Sequence, residues 1–171
     1  PYFDGIASPG KVRLRDPLVG RPSFVLDTHL GRLASYLRML GFDTLYRNDY
    51  SDDELARISH DEKRILLTRD VGLLKRSVVT YGYFVRNTDP RKHLVEVMER
   101  FKLGKLVQPF RYCLKCNGLL IPVQKESVLD RLLPDTARYY DEFHLCQGCG
   151  QVYWKGSHYR RMQDFIAQVL G

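Results

Sequence analysis

The stretch FVLDTHLGRLASYLRMLGFDTLY, residues 24–46, decides how the fold is read. Phe24-Val25-Leu26 is a short unbroken apolar run stopped by Asp27, the pattern of a strand covered on both faces. From Thr28 to Leu40 the period changes. Leu30, Leu33, Ala34, Leu37 and Leu40 recur at three- and four-residue spacing, which makes one apolar face of a helix. Gly41 stands where a left-handed residue ends such a helix, and Phe42 supplies the hydrophobic contact that goes with it. Thr44-Leu45-Tyr46 is then a second strand.

The unit repeats downstream. Ser51-Asp52-Asp53-Glu54 is a capping box ahead of Leu55 and Ile58, so a helix starts at Ser51. Arg64 to Thr68 is a third strand, and Asp70 ends it much as Asp27 ends the first. Val71 to Ser77 reads as a short helix and Tyr83 to Arg86 as a fourth strand. Asp89 and Pro90 open a helix as N-cap and first residue, with Leu94, Val97, Met98 and Phe101 as its apolar face. Strands alternating with helices call for an α/β fold, a parallel sheet flanked by helices over residues 23–103. Upstream, residues 1–22 carry Pro1, Pro9, Pro17 and Pro22 with Gly5, Gly10 and Gly20, punctuation that reads as a linker or arm. Residues 104–171 form a second unit, with Ser157 as the expected N-cap of a C-terminal helix bearing Tyr159, Met162, Phe165, Ile166 and Val169.

That second unit is organised by its cysteines. All four fall in two Cys-x-x-Cys pairs, Cys113/Cys116 and Cys146/Cys149, with 29 residues between Cys116 and Cys146. Gly118 and Gly150 follow closely and let backbone N–H groups turn toward sulfur. Four thiolates with no fifth ligand suit closed tetrahedral Zn²⁺, a structural ion rather than a catalytic one. Disulfides, a redox pair and an iron–sulfur cluster are the competing uses of the same residues.

The acids point to different chemistry. In open parallel sheets, ligands bind at the carboxyl ends of the strands. Asp27 ends the first strand, Asp70 the third, and Asp89 lies just beyond the fourth, while Asp52, Asp53 and Glu54 open the helix after the second. Converging carboxylates repel unless a cation neutralises them, and hard oxygen ligands select Mg²⁺ or Mn²⁺. Helix capping competes for Asp70 and Asp89, and the helix dipole for the acids of residues 52–54; Asp27 has the least other reason to be acidic. Arg32, Arg38, Arg47, Arg69, Lys75 and Arg76 surround these acids in the chain. Arg32 and Arg38, off the apolar face of their helix, are candidates to hold phosphate, as are Arg69, Lys75 and Arg76. His29 is expected in a packing or supporting role. His158 would reach the acids if the cysteine module folds back.

Net charge is +7, divided almost evenly between residues 1–102 and 103–171. Polyanions are therefore natural partners. No stretch of the sequence approaches a transmembrane span, and the first 20 residues have no apolar signal core. A cytoplasmic location is the expectation. The chain opens on Pro1 rather than Met, so a fragment or a processed chain is the expectation.

Taken in order, FVLDTHLGRLASYLRMLGFDT, the block ILLTRD, NTDP, the two cysteine pairs and YWKGSH resemble the Mut-seven carboxy-terminal RNase domain family over about residues 23–162. The resemblance implies a PIN-like nuclease with an appended zinc ribbon, cleaving RNA at acids that bind Mg²⁺ or Mn²⁺. By position it implies that Asp27 is the first-strand acid, Asp70 the acid of the T-R-D turn, and Asp52 or Asp53 the helix acid, with Asp89 a looser match. It also implies an upstream ubiquitin-like domain in many members. The leading expectation is a metal-dependent endoribonuclease. The alternatives are a non-catalytic RNA- or ribosome-binding zinc-ribbon protein and a phosphoacceptor domain. A haloacid-type phosphatase wants a second Asp two residues after the first, where this chain has His29.

Overall fold

A computed structural model describes residues 3–4, 12–13 and 20–171, the first two pairs by their backbone alone. The apolar runs form β3 (Phe24–Leu26), β4 (Thr44–Tyr46), β5 (Ile65–Thr68) and β6 (Gly82–Phe84). They lie in one parallel sheet in the order β6-β5-β3-β4. The segment read as a linker or arm contributes two short strands, β1 (Phe3–Asp4) and β2 (Val12–Arg13). These extend the sheet antiparallel from its β6 edge; the rest of residues 1–19 lies outside the described residues.

The strand order fixes where the helices go. From β3 the chain steps one way to β4, through α1 (Gly31–Met39), then doubles back across β3 to β5, through α2 (Asp52–Asp61). Right-handed crossovers in opposite directions put these helices on opposite faces. α1 packs with α4 (Pro90–Arg100) and α6 (Ser157–Leu170), burying Phe24, Leu26, Ile65, Leu67, Leu33, Leu37, Val97 and Ile166 together. α2 and α3 (Val71–Leu74) cover the other face, where Val25, Leu66, Leu55, Ala56, Leu73 and Leu74 meet. Alternate residues of one strand thus serve two cores, which is why β3 and β5 are buried throughout.

Local differences from the sequence reading have simple causes. The first turn of the helix expected from Thr28 is a 3-10 turn, Thr28–Leu30, before α1 begins at Gly31. Gly31 has no room for a β-carbon, which would lie 2.7 Å from the Tyr46 hydroxyl. That hydroxyl donates to the Thr28 carbonyl at 2.9 Å and fixes the turn. At the other end of α1, Gly41 adopts φ +86°, with Gly41 N–H donating to Arg38 O and Phe42 N–H to Leu37 O, the expected glycine-terminated end. α2 carries both halves of the capping box between Ser51 and Glu54. Gly156, not Ser157, caps α6, without a side-chain hydrogen bond.

The cysteine module holds a three-stranded antiparallel sheet of β7 (Leu120–Val123), β8 (Phe143–Cys146) and β9 (Val152–Trp154). Between β7 and β8 lie two 3-10 turns, Lys125–Ser127 and Leu129–Arg131, and one six-residue helix, α5 (Pro134–Tyr139). Among the described residues, no helix is long and apolar enough to cross a membrane.

Candidate functional site

The carboxyl ends of β3 and β5 lie side by side at the point where the strand order reverses, the place where open α/β sheets bind ligands. Asp27 follows β3 and Asp70 follows β5. Thr68 joins them. Its buried hydroxyl donates to Asp27 Oδ2 at 2.8 Å and accepts from the Asp70 N–H at 2.9 Å. The Asp27 N–H donates to Leu67 O at 3.1 Å, and the Thr28 hydroxyl donates to Asp27 Oδ1 at 3.1 Å. Asp27 is the one strand-end acid whose carboxylate caps no helix. Its side chain is 13% exposed, and His29, 79% exposed, holds Nδ1 3.6 Å from Asp27 Oδ1.

The other acids combine two duties. Asp70 Oδ1 accepts from the N–H groups of Gly72 (2.6 Å) and Leu73 (3.3 Å) at the start of α3, and Oδ2 has no hydrogen-bond partner among the described residues. Asp89 caps α4 by accepting from Arg91 and Lys92 N–H, and these bonds hold its carboxyl below the usual range. Asp52 and Asp53, at the start of α2, both face Arg76, with Asp53 in direct contact and Asp52 at 3.9 Å. No three of these acids gather as tightly as the cysteines do, since the thiol quartet is the one group of three or more potential ligands within 4.8 Å among the described residues.

Of the basic residues expected to hold phosphate, Arg32 and Lys75 are exposed. Arg38 is a correction. It is 5% exposed and donates to Thr44 O (2.9 Å), Leu114 O (3.0 Å) and Lys115 O (3.4 Å), so it is buried among carbonyls and faces no substrate. Burial lowers its pKa, and the sulfurs of Cys113 and Cys116 act in the opposite sense. Arg69 directs Nη1 at the carbonyls of Val85, Arg86 and Asn87, bracing the loop after β6. Glu96 grips the same loop, accepting from Tyr83, Arg86 N–H and both nitrogens of Asn87. Arg76 is committed to the helix acids.

The zinc-ribbon cysteines are collected at the opposite end of the strands. Cys113 and Cys149 sulfurs stand 3.7 Å apart, and Cys116 and Cys146 sulfurs 3.4 Å. Tetrahedral Zn–S bonds of about 2.3 Å separate sulfurs by about 3.8 Å, so the quartet fits a zinc ion and is too open for disulfides. The cysteines are free thiols, and the four together could hold zinc. Gly118 N–H donates to Cys116 sulfur, and Gly148 and Cys149 N–H to Cys146 sulfur. A β-carbon on Gly118 would sit 2.7 Å from the Cys146 sulfur, which explains glycine there. Burial opposes ionisation of Cys113, but the Tyr153 hydroxyl and the N–H groups of Cys116 and Lys115 bring its thiol down to about 7. Burial and the neighbouring thiols push Cys116 up to about 12. A full set of four thiolates therefore needs a cation among them.

Arg38 and Asn117 fasten this knuckle to the α/β domain. Asn117 Oδ1 accepts from Thr44 N–H at 2.8 Å, and its Nδ2 donates to Asp43, which also pairs with Arg64 through both oxygens. Thr44 begins β4, so the knuckle docks at the amino edge of the sheet, away from Asp27 and Asp70. α6 runs antiparallel to α1: Met39 shares a cavity wall with Tyr159 and Met162, and Tyr36 stacks on Phe165 at 4.7 Å. His158, at the start of α6, is consequently held near the end of α1 remote from Asp27. The expectation that the folded-back module brings it to the acids is corrected. Thr68, Asp43, Asn117 and Tyr153 were missed from sequence. Only the position of Asn117 beside a Cys-x-x-Cys pair hinted at a role.

Neither the curated proteins nor the solved structures hold a significant match to this chain. The family model described as the Mut7-C RNAse domain matches residues 22–166, from just before β3 to the penultimate turn of α6. With both the strand-end acids and the cysteine knuckle inside that match, the chain belongs to the Mut7-C RNAse domain family.

Proposed function

We propose that the carboxyl edge of the sheet hydrolyses RNA phosphodiesters as a Mg²⁺- or Mn²⁺-dependent endonuclease. Membership of an RNAse domain family suggests a nuclease-type function with RNA as substrate. The observation that carries the finer reading is Thr68, whose hydroxyl ties Asp27 to Asp70 across adjacent strands at the switch point.

The donor set suits a hard cation. Mg²⁺ keeps several waters and commonly takes only one or two carboxylates, and Asp27 and Asp70 offer two. Asp52, or its neighbour Asp53, is a third candidate ligand if Arg76 yields it, while Asp89 serves as a cap. A bound Mg²⁺ or Mn²⁺ supplies charge stabilisation at the phosphate and a more acidic water for attack. The chain supplies the rest. Thr68 and Thr28 orient the Asp27 carboxylate, and the first N–H groups of α3 hold Asp70. Arg32, exposed in the first turn of α1, and Lys75, exposed beyond α3, attract the RNA backbone.

The test is incubation of total RNA with Mn²⁺, wild type beside Asp70→Asn, with the cleavage ends mapped by sequencing. Asparagine still caps α3, so the variant keeps its fold. Cleavage should fall by more than about 100-fold while RNA binding persists. Internal cut sites identify an endonuclease. Unchanged cleavage by Asp70→Asn overturns the metal assignment. Salt-sensitive binding without divalent-dependent turnover in the wild type favours a non-catalytic RNA- or ribosome-binding protein instead.

A further inference from the structure

A second concave site lies where the ribbon meets α6. It is a pocket of about 220 Å³ walled by Phe110, Tyr153, Trp154, His158 and Tyr159, with Gln151 and Ser157 at its polar side. This is smaller than the roughly 300–1,000 Å³ of sites for drug-sized ligands and suits a single flat ring. Phe110 holds φ +67°, a left-handed conformation unusual for a bulky side chain. The turn sets its ring edge-on to His144 (4.7 Å), Tyr159 (5.0 Å) and Tyr153 (6.2 Å). The Tyr153 hydroxyl, 3.1 Å from the Cys113 sulfur, anchors the wall to the knuckle.

We infer that this pocket binds an unpaired nucleobase of single-stranded RNA, stacked against its aromatic walls. An aromatic box can also hold a quaternary ammonium group, and the lining decides between them. No carboxylate lines the pocket, and exposed Arg160 and Arg161 follow directly on α6. That surface repels a cation and attracts a phosphate backbone. Aromatic and histidine rings stack bases of any sequence, while amide and hydroxyl groups reach their edges. The inference rests on the reading of RNA as substrate and adds a place for it. RNA engaged at Asp27 would pass the Thr28–Leu30 turn and the length of α1, about 14 Å for its nine residues at 1.5 Å each, so the base held here lies several nucleotides from the cut. The pocket then serves as a grip remote from the cut.

Trp154 is the only tryptophan in the chain, so its fluorescence reports this pocket directly. The experiment titrates the zinc-loaded protein with a single-stranded RNA oligonucleotide, an abasic sugar-phosphate oligomer of equal charge, and choline. No Mg²⁺ or Mn²⁺ is added, so binding here is read apart from cleavage at the acids. The oligonucleotide should quench Trp154 saturably and the abasic oligomer should not. His158→Ala and Tyr159→Leu should each weaken the oligonucleotide by about 5-fold or more, the loss of one stacking partner, with an unchanged thermal transition for the exposed His158→Ala. Equal quenching by the abasic oligomer, no effect of either variant, or quenching by choline alone overturns the inference. Quenching that persists in Asp70→Asn shows that the pocket stands even where cleavage has failed.

Discussion

The two ends of the same parallel strands are built by opposite means. At the amino edge four sulfurs lie within 4.8 Å of one another, a crowd of thiols that only a cation turns into a stable cluster of thiolates. At the carboxyl edge the acids are held apart and individually: Asp70 and Asp89 by helix N–H groups, Asp27 by two threonine hydroxyls, Asp52 and Asp53 by Arg76. The first gathers four soft donors that could hold zinc. The second is laid out by hydrogen bonds and ion pairs of the fold itself. On the proposed function, a closed, soft, structural site and an open, hard, reactive one share one small chain without competing for an ion.

The largest expected effect breaks the amino edge. Structural zinc in small modules contributes on the order of 10–16 kcal/mol, and the ribbon's own core is small, centred on Val128, Phe143 and Val152. Chelating zinc, or Cys146→Ser, should collapse the amide dispersion of residues 111–155 in NMR spectra. The parallel sheet should keep its own cooperative unfolding. Ribbon signals that survive chelation would put the metal in a minor role. Next, Arg38→Met removes the donor to three carbonyls at the seam and should cost about 3 kcal/mol, read from the urea midpoint. No loss would mean that the knuckle is fastened by Asn117 alone.

At the carboxyl edge, Thr68→Val keeps the shape of a buried side chain but removes one of the two hydroxyls that hold the Asp27 carboxylate. It should lower cleavage by about 10-fold and stability by about 1–2 kcal/mol. Full activity in that variant would separate Asp27 from Asp70. The smallest effect is at Asp89. Asp89→Ala should lower the melting temperature slightly and leave cleavage intact, whereas Asp89→Asn keeps the cap. Its folded-state pKa is depressed by the α4 N–H groups. The capping contribution is therefore present above the ordinary carboxylate pKa and is lost as pH falls through the lowered value. A pH titration of melting temperature should show that step in wild type and not in Asp89→Asn. Loss of cleavage in Asp89→Ala would make Asp89 a ligand rather than a cap.

Much of this was legible in order along the chain. The apolar period of residues 28–40, the glycine at 41, the capping box at 51–54 and the Asp89-Pro90 start are local signals, each acting within a few residues, and the structure carries all of them. Where a local signal was misread, a side chain outside the helix was responsible. Tyr46 takes the room beside Gly31. The Trp154 ring packs on Gly156, where a β-carbon would lie 2.7 Å from the indole nitrogen, and the helix cap falls there rather than on Ser157. Arg38 looked like a solvent-facing cation because it falls off the stripe of Leu30, Leu33, Ala34, Leu37 and Leu40. Nothing within α1 announces that carbonyls 76 and 77 residues away will close over it.

By itself, then, the sequence determined the alternation of strands and helices, the family and the cysteine quartet, because these depend on residue type at short spacing. Only the tertiary structure decided which edge each site occupies, that Thr68 couples Asp27 to Asp70, and that His158 belongs to an aromatic pocket instead of the acids. Those relations join residues separated by dozens of positions. They follow from strand order and crossover handedness, which no local period encodes.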